Sequence, residues 1–327
     1  MIAILLSGGG NRGALEAGAL LPLFEQGIRP GMLIGTSAGA LNAAFLAVNP
    51  CLERAQELAE LWRNVKRREI FPGNFLTALW RMARGKDGLC SDWNRLRFIL
   101  RHLPPEVRTF GDIRAVQLYI TATNLNTGQP YFFGEDPSES VVDALMASTA
   151  LPPYFAPWPY KGWQYVDGGA VANVPMRWAV TRGARELYVI DLTVAPSLHP
   201  GLRGLIAVMD QTVGVMLYHQ VQEELKACAQ RGVTVHYLAI SAFAGLPIWD
   251  FKHSEEMITE GRRAMEEYLR QRAWEAEPVR MPFPSRVLHW GTEWLRRRRL
   301  RRAVDAKEEF RIEDDSGRKG TTAVDQR

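Results

Sequence analysis

Cysteine is scarce in this chain: Cys51, Cys90 and Cys228 are the only three in 327 residues. An odd number at scattered spacings builds neither a disulfide framework nor a zinc site. All three read as small buried hydrophobes, and a reducing, cytoplasmic setting is expected. Histidine is also sparse. The six, His102, His199, His219, His236, His253 and His289, sit in no motif. No metal or organic cofactor is expected. Long apolar runs are missing too: none approaches the ~18 residues of a membrane span. Met1 to Leu6 lacks the basic start of a secretion signal. The expectation is a protein that is soluble or peripheral to a membrane.

Excess charge is missing from most of the chain. The net charge is +4. Eight arginines and one acid, Glu293, lie between Arg280 and Arg302, so that stretch alone carries +7 and the remainder about −3. Here Trp290, Trp294, Leu295 and Leu300 are interleaved with Arg286, Arg296, Arg297, Arg298, Arg299, Arg301 and Arg302. A basic amphipathic segment of this kind can lie on an anionic bilayer. It can equally be a solvated helix end rich in arginine. No nucleic acid partner is expected.

What is present is an α/β pattern. Ile2 to Leu6 reads as a buried strand. Residues 12–26 follow as a helix closed by Gly27. Met32 to Ile34 is a second strand and Ala40 to Val48 a second helix. Such a βαβ unit brings both strand ends to one edge of the sheet. The loop at 8–13 and the turn at 35–39 should therefore lie side by side. Residues 50–110 are mostly helical, their arginines and aromatics forming either a lid over an apolar pocket or ordinary amphipathic packing. Further strands are expected at Gln117–Thr123, Pro130–Phe133, Gln164–Val166, Leu187–Leu192 and Val233–Ile240. Helices are expected at Ser140–Ser148, 203–230 and 254–275. Alternation of this kind argues for a mostly parallel sheet.

Gly35-Thr36-Ser37-Ala38-Gly39 fits the G-x-S-x-G nucleophile elbow. Its glycines allow a tight strand-to-helix turn, with Ser37 at a helix N-terminus that favours developing negative charge. The same stretch also reads as a glycine-rich loop with Ser37 as a helix cap. Gly8-Gly9-Gly10-Asn11-Arg12-Gly13 fits G-x-G-x-x-G. A dinucleotide cradle needs an acid at the end of the second strand, and a P-loop needs Gly-Lys-Ser/Thr. Neither is here. Successive glycine N–H groups can instead form an anion nest beside Ser37, with Arg12 steadying the loop or a head group. Asp167-Gly168-Gly169 reads as a turn, and beside an exposed serine Asp167 becomes a candidate base.

Together these three motifs resemble the patatin-like phospholipase family. Ala147-Ser148-Thr149-Ala150-Leu151-Pro152-Pro153-Tyr154-Phe155, Asn173 and Pro175 add to the resemblance, which spans roughly residues 1–195. Many members carry an Asp before the glycine loop, where this chain has Ser7. The resemblance implies a three-layer α/β/α fold with a mostly parallel sheet. It implies a catalytic domain over 1–200; beyond the resemblance, the helical pattern is expected to form an extension over 201–304 that packs on or beside that domain, and the polar, charged stretch over 305–327 a disordered tail. The resemblance further implies a serine hydrolase of lipid acyl esters that works without histidine. Ser37 would be the nucleophile and Asp167 the base. Gly8 to Gly13 would form the oxyanion hole, with Gly9, Gly10 and Asn11 the preferred donors. Gly35, Gly39, Gly168 and Gly169 would shape the turns. An ordinary carboxylate, with a pKa near 3.9, is a weaker base than histidine near 6.5, and burial would narrow that gap. A lipid acyltransferase and a non-catalytic lipid-binding module are the alternatives.

Overall fold

The computed structural model describes residues 1–193 and 203–271. The arginine-rich segment at 280–302 and the tail at 305–327 lie outside them. The chain runs β1 (Ile2–Leu6), α1 (Gly13–Glu25), β2 (Met32–Thr36), α2 (Ala38–Ala47), α3 (Leu52–Asn64), α4 (Arg67–Ile70), α5 (Phe75–Ala83) and α6 (Asp92–His102). It continues with β3 (Gln117–Asn124), β4 (Pro130–Phe133), α7 (Val141–Ser148), β5 (Trp158–Tyr160), β6 (Trp163–Asp167) and α8 (Met176–Thr181). The last elements are β7 (Glu186–Asp191), α9 (Leu205–Gln230), β8 (Thr234–Ala239) and α10 (Ser254–Gln271).

The eight strands form one mixed sheet in the order β5-β6-β3-β2-β1-β7-β8, with β4 paired to β3. β3, β2, β1, β7 and β8 are mutually parallel. β4 and β6 run antiparallel to β3. Strand residues alternate between the two faces. Ile4, Leu6, Leu33, Ile120 and Ile190 join one core with α1, α2, α3 and α10. From the other face Tyr119 packs edge-on against Trp178 of α8. Strands covered on both faces need apolar residues throughout, which explains the unbroken Ile-Ala-Ile-Leu-Leu of β1.

The described part of the expected helical extension is built into this same body. β8 pairs with β7 over six residues. α10 lies backbone to backbone on α1, where a side chain at Gly18 would meet Ile258 and one at Gly261 would meet Leu15. A boundary near residue 200 is thus crossed by the sheet itself. No described helix is long and apolar enough to cross a membrane.

The placement that matters for chemistry is set on β3. Ile120 and Thr121 pair with β2 and also with β4, so those two strands lie on opposite edges of β3. Ala122 and Thr123 pair with β4 and also with β6. β6 therefore lies on the same edge as β2, taking over where β2 stops. Thr36 sits opposite Thr121, and Asp167 sits opposite the next residue, Ala122. β2 and β6 run toward each other, so their C-terminal ends meet head to head. This brings Ser37 and Asp167 together.

Candidate active site

Ser37 occupies a turn that only this local sequence can make. A Cβ on Gly35 would run into Gly39 O and Ala40, and one on Gly39 into the backbone of Leu6 and Ser7. Ser37 itself adopts φ 56° and ψ −119°. A non-glycine residue there stores about 1–3 kcal/mol of strain, which the surroundings must hold in place. They do so with three hydrogen bonds. The Ser37 N–H donates to Ser148 Oγ at 2.8 Å, and Ser37 O accepts from the N–H groups of Ala40 and Leu41.

Asp167 is buried. Its Oδ1 accepts the Gly169 N–H at 2.9 Å. Its main chain is fixed by Asp167 N–H donating to Ala150 O at 3.0 Å and by Thr123 Oγ1 donating to Asp167 O at 3.0 Å. Burial raises its pKa to about 6. The Ser37 hydroxyl, the Gly169 N–H and the positive charge of Arg95 each pull in the opposite direction without cancelling it. Oδ2 is buried with no hydrogen-bond partner of good geometry among the described residues. The serine thus stands near enough to favour the ionised acid, but the contact is loose, as catalytic contacts often are before substrate binds.

Hydrogen-bond accounting narrows the glycine loop. Gly8 N–H donates to Asn173 Oδ1 at 2.8 Å. Asn11 N–H donates to Ile248 O, and its side chain donates to Pro247 O and Asp250 O. Arg12 N–H is committed to Gly9 O, and Gly13 N–H to Gly10 and Asn11. Asn11, Arg12, Gly8 and Gly13 are therefore occupied in structural bonds, which corrects the expectation that this whole run faces an oxyanion. The N–H groups of Gly9 and Gly10 have no partner among the described residues. Gly10 holds φ 60° against Ile248, a backbone that suits glycine. Ala38 N–H, the first after the serine, is free in the same sense. This donor follows from the elbow motif, which places an oxyanion donor on the residue after the nucleophile. Arg12 is turned inward, its Nη1 donating to Leu192 O at 2.7 Å; it steadies the loop and does not face a head group.

Ser37, Ala38 and Gly10 line a narrow cavity of about 90 Å³. Leu58, Leu61, Trp62, Phe71, Phe98 and Phe155 make its walls apolar. Arg95 was not anticipated. It is only 2% exposed, yet it lines this cavity. Its guanidinium donates to Met146 O, Thr149 Oγ1 and Asp92, and lies 4.3 Å over the Phe155 ring. In sequence it is one arginine among many on an amphipathic helix, and only the fold shows that it points inward. Ser148 was legible only as part of the 147–155 run. None of the described histidines bonds to Ser37 or Asp167. His102 lines the cavity, but its Nδ1 is paired with Phe98 O.

Comparison with known proteins identifies the family. The profile of the family described as patatin-like phospholipase matches residues 4–180. The uncharacterized protein YqhO of Bacillus subtilis is 30% identical over 211 residues, 59% of this chain and 70% of that one. A cGAMP-activated phospholipase of Escherichia coli is 30% identical over 195 residues, 52% of each chain. Lysophospholipase NTE1 of Saccharomyces cerevisiae is 26% identical over 203 residues, 61% of this chain but only 11% of that one. With the family profile covering more than half of its length, this chain belongs to the patatin-like phospholipase family.

Proposed function

We propose that this protein hydrolyses acyl esters of lipids through a Ser37–Asp167 dyad. The observation that carries the reading is the head-to-head meeting of β2 and β6 on β3. It puts a strained, largely buried serine beside a buried carboxylate at the wall of an apolar cavity. Ser37 Oγ attacks the ester carbonyl carbon while Asp167 takes its proton. Negative charge develops on the carbonyl oxygen, where the N–H groups of Gly9, Gly10 and Ala38 are the donors free to receive it. As the intermediate collapses, Asp167 returns the proton to the leaving alcohol. An acyl-Ser37 ester remains, its chain in the cavity. Asp167 then deprotonates a water that attacks this ester, and collapse frees the fatty acid and restores the Ser37 hydroxyl.

A fluorophosphonate probe tests the nucleophile directly. One adduct per chain, mapped by mass spectrometry to the peptide carrying Ser37, is expected. Absence of an adduct would favour a non-catalytic lipid-binding module.

The raised pKa of Asp167 makes a second expectation. The base must be ionised, so kcat/KM on a soluble ester should rise with pH through a midpoint near 6 and level off above it. An ordinary exposed aspartate would place that midpoint near 4. A limb near 4, or no acid limb above it, would remove Asp167 from the role of base.

A further inference from the structure

α5 buries none of its nine residues. Phe75 is 79% exposed and Leu76 70%, and Leu79, Trp80 and Met82 are also exposed. Isolated surface hydrophobes need no explanation, but a helix presenting five large ones does. Both ends of the excursion are pinned at the cavity. On the N-terminal side Phe71 lines it and packs 5.3 Å from Phe155. On the C-terminal side Leu89 N–H donates to Pro153 O and Cys90 N–H to Tyr154 O, beside the same Phe155. α5 therefore stands out from the rim of the substrate cavity.

Its surroundings are basic. Between Lys66 and Asp87 there are six cationic side chains, Lys66, Arg67, Arg68, Arg81, Arg84 and Lys86, against two acids, Glu69 and Asp87. Glu69 is already paired with Arg101. Lys66, Arg67 and Arg68 line a shallow depression together with Phe71. Arg84 lies 4.3 Å over the Trp80 ring, an indole and a cation side by side as at a membrane interface.

We infer that α5 is a docking helix that inserts its apolar side chains into an anionic bilayer, with the surrounding arginines and lysines on the head groups. The choice of occupant rests on the lipid-hydrolase reading and on charge complementarity. Short amphipathic helices with aromatic and leucine residues beside cations bind in this way. Docked so, the cavity mouth faces the surface from which an acyl chain must be drawn.

Co-sedimentation with vesicles tests the inference, in the full-length Ser37→Ala background so that the lipid stays intact. Binding to equimolar phosphatidylcholine and phosphatidylglycerol vesicles is expected. Leu76→Asp with Leu79→Asp should weaken it at least ~10-fold. Arg84→Ala with Lys86→Ala should weaken it about fivefold per side chain removed, and not on pure phosphatidylcholine. Quenching of tryptophan fluorescence by brominated acyl chains should fall in Trp80→Phe. No binding by the parent chain, or unchanged binding in the Leu76→Asp, Leu79→Asp chain, would overturn the inference. So would a dimer that this double change dissociates while leaving vesicle binding intact. With Ser37 present, the double change should leave hydrolysis of a short soluble ester untouched. If no soluble ester is cleaved while vesicles still bind through α5, the hydrolase reading fails and the docking surface stands.

Discussion

Asp167→Asn and Ser37→Ala should each lower kcat/KM on a soluble ester by about 10³–10⁴, and the double variant should be no worse than either single one. General-base assistance is worth roughly 10²–10⁴, and groups that act as a unit lose their effect together. Additive losses in the double variant would mean that the two residues work separately. The same Asp167→Asn change should make the protein more stable at neutral pH. The folded-state pKa of about 6 lies above the ordinary 3.8, so the native state binds the proton more tightly than the unfolded chain does. Wild-type stability therefore falls as pH rises from about 4 to 6, and the cost of the buried ionised acid is complete above that. A difference of about two pKa units corresponds to about 3 kcal/mol. The amide cannot ionise, and its oxygen can still accept the Gly169 N–H. A gain of about 1–3 kcal/mol in urea unfolding at pH 7.5, vanishing near pH 4, is expected. A loss of stability at pH 7.5 would show that the carboxylate is not a strained group.

The second large effect concerns the elbow. Gly39→Ala should destabilise the protein by at least about 3 kcal/mol, because the new Cβ meets main-chain atoms of Leu6 and Ser7, which cannot rotate away. The hydrogen bond from Gly39 N–H to Ser7 O would be stretched as well. Gly214→Ala is the control. Gly214 lies inside α9, and nothing would lie within 4 Å of its Cβ. Here the gain in helix propensity should stabilise by up to about 1 kcal/mol. The same added methyl should thus have opposite signs at the two positions. Equal, small effects in urea unfolding would mean that β1 and α2 can separate freely at the turn.

How much of this was legible in sequence depended on distance along the chain. β1, α1, β2 and α2 follow from short-range signals: an apolar run, a helical period, glycines at tight turns. The adjacency of the glycine loop and Ser37 follows from the parallel pairing of β1 with β2, which a βαβ unit dictates. Asp167 was different. Its motif was visible, but its position depends on β6 joining β3 antiparallel beyond the end of β2, and no local pattern signals that. β5, three residues long and partly exposed, carried too little periodicity to be read. The occupied members of the glycine loop were hidden for a related reason. The N–H groups of Gly8 and Asn11 look like free donors until their partners, Asn173 Oδ1 and Ile248 O, arrive from far along the chain. Within residues 50–110, α3 and α6 bury apolar side chains as amphipathic packing does, whereas α5 buries none.

The meeting of β2 and β6 has a consequence for how such a site can vary. Because both strands are in register with one continuous partner, β3 acts as a ruler for the spacing between Ser37 and Asp167. The exposed stretch at 72–87, which carries α5, can change its surface without moving either residue along that ruler, whereas the connection at 134–157 supplies Ser148 and Ala150, which bond the backbones of Ser37 and Asp167. A slip of one residue in β6 would do the opposite. It would shift Asp167 by roughly 3.4 Å and turn its side chain to the other face of the sheet. The spacing of the dyad is thus insulated from the surface of α5, which is free to diversify toward different surfaces while the dyad stays as it is.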